Sequence, residues 1–362
     1  MPQLVAIALS GGIDSLVTAA LLEERGYQLI GLHFLSGFEP DFQLPSLQGP
    51  PDETLAAVKD RAHERLTAMT APLGMPIHVI DLRREFQQTV VDYFTAVYQS
   101  GKTPNPCLVC NPLIKFDILF KKAEALGAVR MATGHYARIE SGSDGHMHLL
   151  RGIDPVKEQS YFLSRLTQSQ LGRAILPLGA YTKEQTRQMA AKRGLQPACR
   201  QESQDICFIS NGSYGDFLLS QPGFTCAAGV IEDASGRQIG RHNGLHHFTI
   251  GQRRGINCPA AEPYYVIRID PGRNTLIVGS KNELLKGQCR AETINWIVPP
   301  PVGAIRVDVR VRYRHAAVPA TLVPVDDRTA EIVFDEPQSA VTPGQGAVFY
   351  RHEEVLGGGW IQ

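Results

Sequence analysis

The run Leu4-Val5-Ala6-Ile7-Ala8-Leu9 passes without a break into Ser10-Gly11-Gly12-Ile13-Asp14-Ser15, and this junction decides the fold. A short, continuously apolar run suits a parallel strand covered on both faces. Two glycines let the chain turn sharply and bring backbone amides close to an anion, and the hydroxyls of Ser10 and Ser15 add donors. A helix then reads from Ser15 to Arg25, with Leu16, Ala19, Ala20 and Leu22 facing inward and Gly26 as its stop. A strand, a glycine loop and a helix N-terminus in that order form a cradle for phosphate. It is neither the Walker loop, since Gly-Lys-Ser/Thr is absent, nor the dinucleotide fingerprint, which needs a third glycine.

Outward from this junction, strand and helix signals alternate. Strands are expected over Leu29 to Phe34, Ile77 to Leu82 and Val129 to Thr133. Leu55, Val58, Ala62, Leu66 and Met69 keep helical spacing, as do Phe86, Val90, Tyr93 and Val97, and Ile114 to Leu126 reads as helix again. Thr182 with Gln185 forms a capping box, and Gly194 ends that helix. Ser36 to Pro51 reads as a long loop, and Ser141 to Gly145 as the turn of a hairpin. Such alternation predicts an α/β, doubly wound parallel sheet. After about residue 225 the period becomes two. Tyr265, Ile267 and Ile269 lead through Asp270-Pro271-Gly272-Arg273-Asn274 to Leu276 and Val278, a hairpin. Apolar residues alternate with Arg306, Asp308, Arg310, Arg312 and Arg314 along an expected strand from Ile305 to Arg314. Small antiparallel β domains are therefore expected to follow the parallel sheet, the last of them a β-barrel. The expected division is 1–209, 210–282 and 283–362.

Composition excludes several classes. The chain has 362 residues, 43% of them hydrophobic and 20% charged, enough for more than one packed core. Lysines and arginines balance aspartates and glutamates at 36 each, so any nucleic-acid surface must be local. No apolar run approaches the roughly 18 residues of a membrane span. The N-terminus lacks the basic and apolar regions of a secretion signal, and seven cysteines in such a chain suit a reducing cytoplasm.

The cysteines carry chemistry of their own. Thr103-Pro104-Asn105-Pro106-Cys107-Leu108-Val109-Cys110-Asn111 reads as a rigid, irregular turn bearing two thiols, with a helix after it that would lower the pKa of Cys110. A single Cys-x-x-Cys fits a redox pair, half a zinc site or cluster ligands. Cys207, between Ile206 and Phe208, reads on its own as a buried core residue. The arginine strand suits either RNA phosphates, with Tyr313 stacking on a base, or a charged sheet edge. His246-His247 and Gln252-Arg253-Arg254 form a second, weaker basic patch.

The phosphate loop resembles that of the N-type ATP pyrophosphatases, the PP-loop superfamily. Further motifs follow in order: Thr-Pro-Asn-Pro-x-x-x-Cys-Asn, Ala132-Thr133-Gly134-His135-Tyr136, Lys157-Glu158-Gln159-Ser160-Tyr161-Phe162 and Ile206-Cys207-Phe208-Ile209. Thr249-Ile250-Gly251-Gln252-Arg253-Arg254-Gly255, Arg312-Tyr313-Arg314, Thr342-Pro343-Gly344-Gln345 and Gly357-Gly358-Gly359 complete the set. Over nearly its whole length the chain resembles the bacterial tRNA-specific 2-thiouridylase family (MnmA). The resemblance implies a sulfurtransferase that uses ATP with Mg²⁺ to adenylate the C2 oxygen of a wobble uridine. Sulfur from a cysteine persulfide then replaces that oxygen. Cys207 matches the persulfide-bearing cysteine, and Cys110 the second active-site cysteine, which leaves a Cys110–Cys207 disulfide. Ala8, Leu9, Ser10, Gly11, Gly12, Ile13, Asp14, Ser15 and Gly134 match nucleotide contacts, and Phe34 falls where adenine binds. Asn105, Pro106, Cys107, Lys157, Glu158, Gln159, Arg312 and Tyr313 fall in tRNA-contacting segments. Implied partners are tRNAs for Lys, Glu and Gln and a persulfide sulfur carrier or cysteine desulfurase, with no membrane. Two departures stand out. Cys107 occupies a position that is aspartate in many members, so Cys107, Cys110 and Cys207 together make an alternative ligand set for a [4Fe–4S] cluster. The segment from Ser36 to Arg65 lacks the family's usual signature, which leaves a diverged tRNA-binding paralogue as a further alternative.

Overall fold

The computed structural model describes residues 3–39, 54–197, 206–209 and 213–362. Most of the expected loop between Ser36 and Pro51, and the polar stretch before Cys207, lie outside these residues. By its internal contacts the chain divides into two compact units. The first gathers 1–89, 107–211 and 353–355, and the second 90–106, 212–352 and 356–362.

The first unit is built on a five-stranded parallel sheet. Strands β1 (Leu4–Ala8), β2 (Gln28–Leu35), β3 (Ile77–Asp81) and β4 (Arg130–Ala132) supply four of its members. The hairpin of β5 (Ala137–Ser141) and β6 (Met147–Arg151) intervenes before the fifth, β7 (Ala174–Ile175). Spatial order is β3-β2-β1-β4-β7, so the chain winds one way from β1 to β3 and the other way through β4 and β7. The apolar reading of β1 is explained by its central place. Val5, Ala6 and Ile7 are fully buried because both faces are covered, and helix α1 (Ile13–Glu24) packs Leu16, Ala19, Ala20 and Leu22 into the same core. Helix α2 (Leu55–Thr70) lays Val58 and Ala62 against Leu35 of β2. Gly26 and Gly194 end their helices with φ of 80° and 63°, a left-handed turn that glycine adopts without steric cost.

In the second unit, β8 (Gly229–Asp233), β9 (Gln238–His242), β10 (Tyr265–Asp270) and β11 (Thr275–Gly279) form a four-stranded sheet in the order β10-β11-β8-β9. It is almost antiparallel, but β8 runs parallel to β11. The remaining strands are β12 (Leu285–Trp296), β13 (Ile305–Arg310), β14 (Val318–Asp326), β15 (Thr329–Ser339), β16 (Gly346–Arg351) and β17 (Glu354–Ile361). They follow one another as β12-β15-β14-β13-β16-β17, and β12 pairs back onto β17 to close a six-stranded barrel. Alternate residues Val307 and Val309, Ala320 and Leu322, and Ala330, Ile332 and Phe334 fill its interior.

Three sequence expectations need correction. The arginine strand ends at Arg310, and Val311 to Arg314 form a turn instead. The Cys-x-x-Cys segment is helical, not irregular: a turn of α-helix spans Cys107–Cys110 and runs into a π-helix over Asn111–Leu119. Pro104 and Pro106 both precede the first helical residue, so neither interrupts a hydrogen bond the helix needs. His246 does not join a solvent-facing patch. It is only 4% exposed, its ring lies 4.0 Å from that of His247, and burial, foremost, lowers its pKa.

Candidate active site

The phosphate loop leaves the carboxyl end of β1 where the winding of the sheet reverses, the position at which open α/β sheets bind ligands. Gly11 takes a φ of 75°, closed to most side chains. Gly12 is the N-cap of α1 and supplies no capping side chain, so the first amides of that helix are left for another acceptor. Ser15 Oγ donates to the Gly12 carbonyl at 2.9 Å and fixes the turn. Across the switch point, the loop after β4 brings Gly134 so near that a Cβ there would stand 2.9 Å from the Cβ of Asp14. Phe34, on β2, is half-buried with its ring 6.1 Å from that of Phe86. Ala8 to Ser15, Phe34 and Gly134 are thus gathered at one end of the sheet. Free helix amides beside a close glycine approach fit the phosphates of ATP.

Asp14 does not point into open space. Its carboxylate accepts hydrogen bonds from Lys183 Nζ at 2.8 and 2.9 Å and from Tyr136 Oη at 2.9 Å. Lys183 is 6% exposed, and its backbone N–H donates to Asp154, which also accepts from the amides of Val156 and Lys157. Desolvation works against the Asp154 carboxylate, but these three amides outweigh it and hold its pKa below the usual range. The chain continues into Lys157-Glu158-Gln159. Gln159 bridges back to Tyr136, its side chain accepting from the Tyr136 amide and its amide donating to the Tyr136 carbonyl. Glu158 is buried and caps the amide of Ser160.

Lys183 and Asp154 escaped the sequence reading, although a signal existed. Lys183 is the first residue of its helix, right after the capping Thr182, where a positive charge opposes the helix dipole. A lysine there calls for an anionic partner, and Asp14 is that partner.

The thiols form the second part of the site. Cys107 is half-buried, Cys110 buried and Cys207 exposed. Although Cys107 and Cys110 lie more than a quarter of the chain from Cys207, both feel its charge. Burial, foremost, pushes Cys107 up to about 11 and Cys110 up to about 12, and it raises Cys207 as well. The expected lowering of Cys110 by a helix N-terminus is therefore overturned by desolvation. Lys115, on the π-helix, works against all three shifts. His135 lies nearby, with Nδ1 2.7 Å from Thr133 Oγ1. Burial, and secondarily Lys115, keeps its ring neutral. Lys115 and His135 carried no sequence signal of their own. Among the described residues, no three His, Cys, Asp or Glu side chains are grouped as ligands for a single metal ion. Cys207 keeps an exposed surface, so it is not a core residue, although the groups packed around it desolvate its thiol.

In the second unit the remaining candidates are arranged differently. Asn105 and Pro106 are buried, and Gln345 Nε2 donates to the carbonyls of Thr103 and Pro104 just before them. Arg312 donates to the Ile250 carbonyl at 2.9 Å and to Thr342 Oγ1. Arg310 stacks 5.4 Å over the ring of Tyr313, and Arg306 pairs with Asp335. The arginines are therefore spread over separate partners and do not form one phosphate-facing row.

A parallel sheet with an uncapped, glycine-built helix N-terminus at its switch point, in a unit that also holds Cys107, Cys110 and Cys207, defines a nucleotide-binding enzyme of the HUP class. Family models agree over nearly the whole chain. A tRNA methyl transferase HUP domain matches residues 3–211, a tRNA methyl transferase PRC-barrel domain 216–280 and an aminomethyltransferase β-barrel domain 286–361. The tRNA-specific 2-thiouridylase MnmA of Desulfosudis oleivorans is 48% identical over 99% of this chain and 95% of its own. Those of Geobacter metallireducens and Magnetococcus marinus are each 43% identical over 99% of this chain, and over 96% and 99% of their own. The chain belongs to the tRNA-specific 2-thiouridylase family. A solved 4-thiouridine synthetase–RNA complex with bound ATP overlaps 53% of this chain and 41% of its own at 22% identity and TM-score 0.31, too loosely to carry an argument.

Proposed function

We propose that this chain is an ATP-dependent tRNA 2-sulfurtransferase that converts the wobble uridine to 2-thiouridine. The observation that carries the reading is that Cys207, Cys110 and Lys115, distant in sequence, lie within electrostatic reach in the unit that also holds the open phosphate loop. The family models' printed names speak of methyl transfer, but three thiols within electrostatic reach of one another suit sulfur transfer, as in the relatives' own name.

The reaction follows from the parts. ATP, taken with Mg²⁺, lies with its phosphates on the amides of Gly11 to Ser15. The uridine C2 oxygen attacks the α-phosphorus, diphosphate leaves, and a poor leaving group becomes AMP. The terminal sulfur of a persulfide on Cys207 attacks C2, and AMP departs. The Cys110 thiolate then attacks Cys207 Sγ, releasing the 2-thiouridine sulfur and leaving a Cys110–Cys207 disulfide. Lys115 supports the thiolates against the cost of their burial. Asn105, Pro106, Cys107, Lys157, Glu158, Gln159, Arg312 and Tyr313 are proposed to serve the tRNA. For Glu158, Asn105 and Pro106, burial means shaping a contact segment rather than touching RNA directly. The tRNAs for Lys, Glu and Gln are the proposed substrates, and a persulfide carrier or cysteine desulfurase loads the exposed Cys207.

The test is to incubate unmodified tRNA with the protein, ATP, Mg²⁺ and a persulfide source and to quantify 2-thiouridine. Formation that depends on ATP and on Cys207 supports the reading. Its absence with a persulfide-loaded protein overturns it.

A further inference from the structure

Cys107 and Cys110 occupy the first and last positions of a single α-helical turn that follows Pro106. Residues three apart on a helix face one another, with Cβ atoms about 5–6 Å apart. Disulfides need Cα separations of about 4.4–6.8 Å and Cβ atoms within about 4.5 Å. This pair is thus poised for a bond that needs only a small adjustment in an end turn. Cys207, the exposed thiol, shares their electrostatic neighbourhood. The sulfur-transfer sequence uses Cys110 and Cys207 and leaves Cys107 without a chemical task. We infer that Cys107 is a resolving thiol that moves the disulfide off Cys207, so that the exposed cysteine can be reloaded while the oxidised pair waits inside the Cys107–Cys110 turn.

The step rests on the proposed thiolation and balances as thiol–disulfide exchange. Transfer leaves a Cys110–Cys207 disulfide. The Cys107 thiolate attacks Cys110 Sγ, a Cys107–Cys110 bond forms, and the Cys110–Cys207 bond breaks. Its electron pair leaves on Cys207, which takes up the proton lost by Cys107. Nothing is oxidised or reduced overall in this step. A dithiol reductant later returns the Cys107–Cys110 pair to two thiols and is oxidised in turn. Lys115 favours the exchange, since its charge stabilises the departing Cys207 thiolate. The direction has a geometric reason too. Closing a preformed helical turn orders little, whereas a bond to a segment a quarter of the chain away must hold that segment in place.

The intact protein tests this without tRNA or ATP. It is equilibrated in a buffer of oxidised and reduced dithiothreitol, quenched with acid, alkylated, and mapped by mass spectrometry without reduction. The expected wild-type product is a Cys107–Cys110 disulfide with Cys207 alkylated, in at least tenfold excess over the Cys110–Cys207 form. Cys107→Ser should instead accumulate Cys110–Cys207 and lose at least tenfold in persulfide loading of Cys207 until reductant is added. Cys107→Ala repeats the measurement where serine perturbs the turn, and a thermal melt confirms that each variant is folded. A wild type that holds only Cys110–Cys207, or forms no disulfide among the three, overturns the inference. Failure of the thiolation reading appears separately, as tRNA without 2-thiouridine while the disulfide map stays as expected.

Discussion

The phosphate loop and the thiol site lie in the same unit but are built in opposite ways. The loop is backbone: Gly11, Gly12 and the open end of α1 are neighbours in sequence, and their geometry follows from one strand running into one helix. The thiol site is side chains drawn from distant stretches, and its electrostatics are set by burial and by a lysine on a π-helix. Local chain geometry thus makes an anion site robust, whereas sulfur chemistry depends on tertiary packing that places groups and strips their water.

The largest expected effect separates the two sites. Asp14→Ala should abolish adenylation, by about three orders of magnitude in ATP–diphosphate exchange, while persulfide still loads on Cys207. Cys207→Ser should do the reverse, keeping exchange and losing thiolation by a similar factor. Loss of both activities in either variant would dissolve the distinction between the sites.

Next in size is Lys183→Met. Among the described residues, it leaves the part-buried Asp14 carboxylate with Tyr136 as its hydrogen-bond partner. Stranding a carboxylate costs about 1–3 kcal/mol, reduced here by the exposure of Asp14. A fall of several degrees in Tm and at least tenfold slower adenylation are expected. An unchanged melt would mean that the pair is not the tie between α1 and the helix Lys183–Lys192.

The third prediction concerns protons at the thiols. Lys115→Gln removes the cation that opposes their raised pKa values, so the pH profile of Cys110 alkylation should move to higher pH, with rates near pH 9 falling several-fold. The wild type carries a related signature in its stability. Cys107 and Cys110 have folded pKa values of about 11 and about 12, above that of a free thiol. Their contribution to stability is present below about pH 8.5 and is lost as pH rises through the folded values. Denaturant titrations from pH 8 to 11 should show this decline, and a Cys107→Ser, Cys110→Ser double variant should flatten it.

The smallest effects belong to the barrel arginines. Each lost phosphate contact lowers the salt slope of tRNA binding by about one unit. Arg306→Ala should leave the slope unchanged, because Asp335 already neutralises that charge. Arg312→Ala should cost about 1 kcal/mol of stability through its lost bonds to Ile250 and Thr342, whatever it does to RNA. A full-unit change on replacing Arg306 would reinstate a continuous arginine face.

Legibility in the sequence followed the same division. The parallel sheet, α1, the capping box at Thr182 and the β hairpin from Tyr265 to Val278 were readable because periodicity and turn chemistry are local. The phosphate loop was readable for the same reason. The helical state of Cys107 to Leu119 was not, because two prolines and two asparagines suggest a turn, and only a helix start just past Pro104 and Pro106 reconciles them. Nor was the rise in the thiol pKa values, since burial belongs to the folded chain. Arg306 to Arg314 looked like one charged face by alternation alone, and a turn after Arg310 ended the alternation.

The π-helix from Asn111 to Leu119 also acts as a ruler. On an ordinary α-helix five steps carry a residue about 140° past its starting face. A repeat of five residues per hydrogen bond brings Lys115 back round towards Cys110. Rewinding the segment as ordinary α-helix at unchanged length would carry the ammonium group off the face of Cys110, whereas deleting one residue would return it to that face at four steps. What this stretch must keep is therefore its winding at its present length: side-chain swaps at exposed Leu113 should be borne, whereas changes that rewind it as α-helix at that length should weaken the sulfur chemistry and leave the nucleotide loop intact.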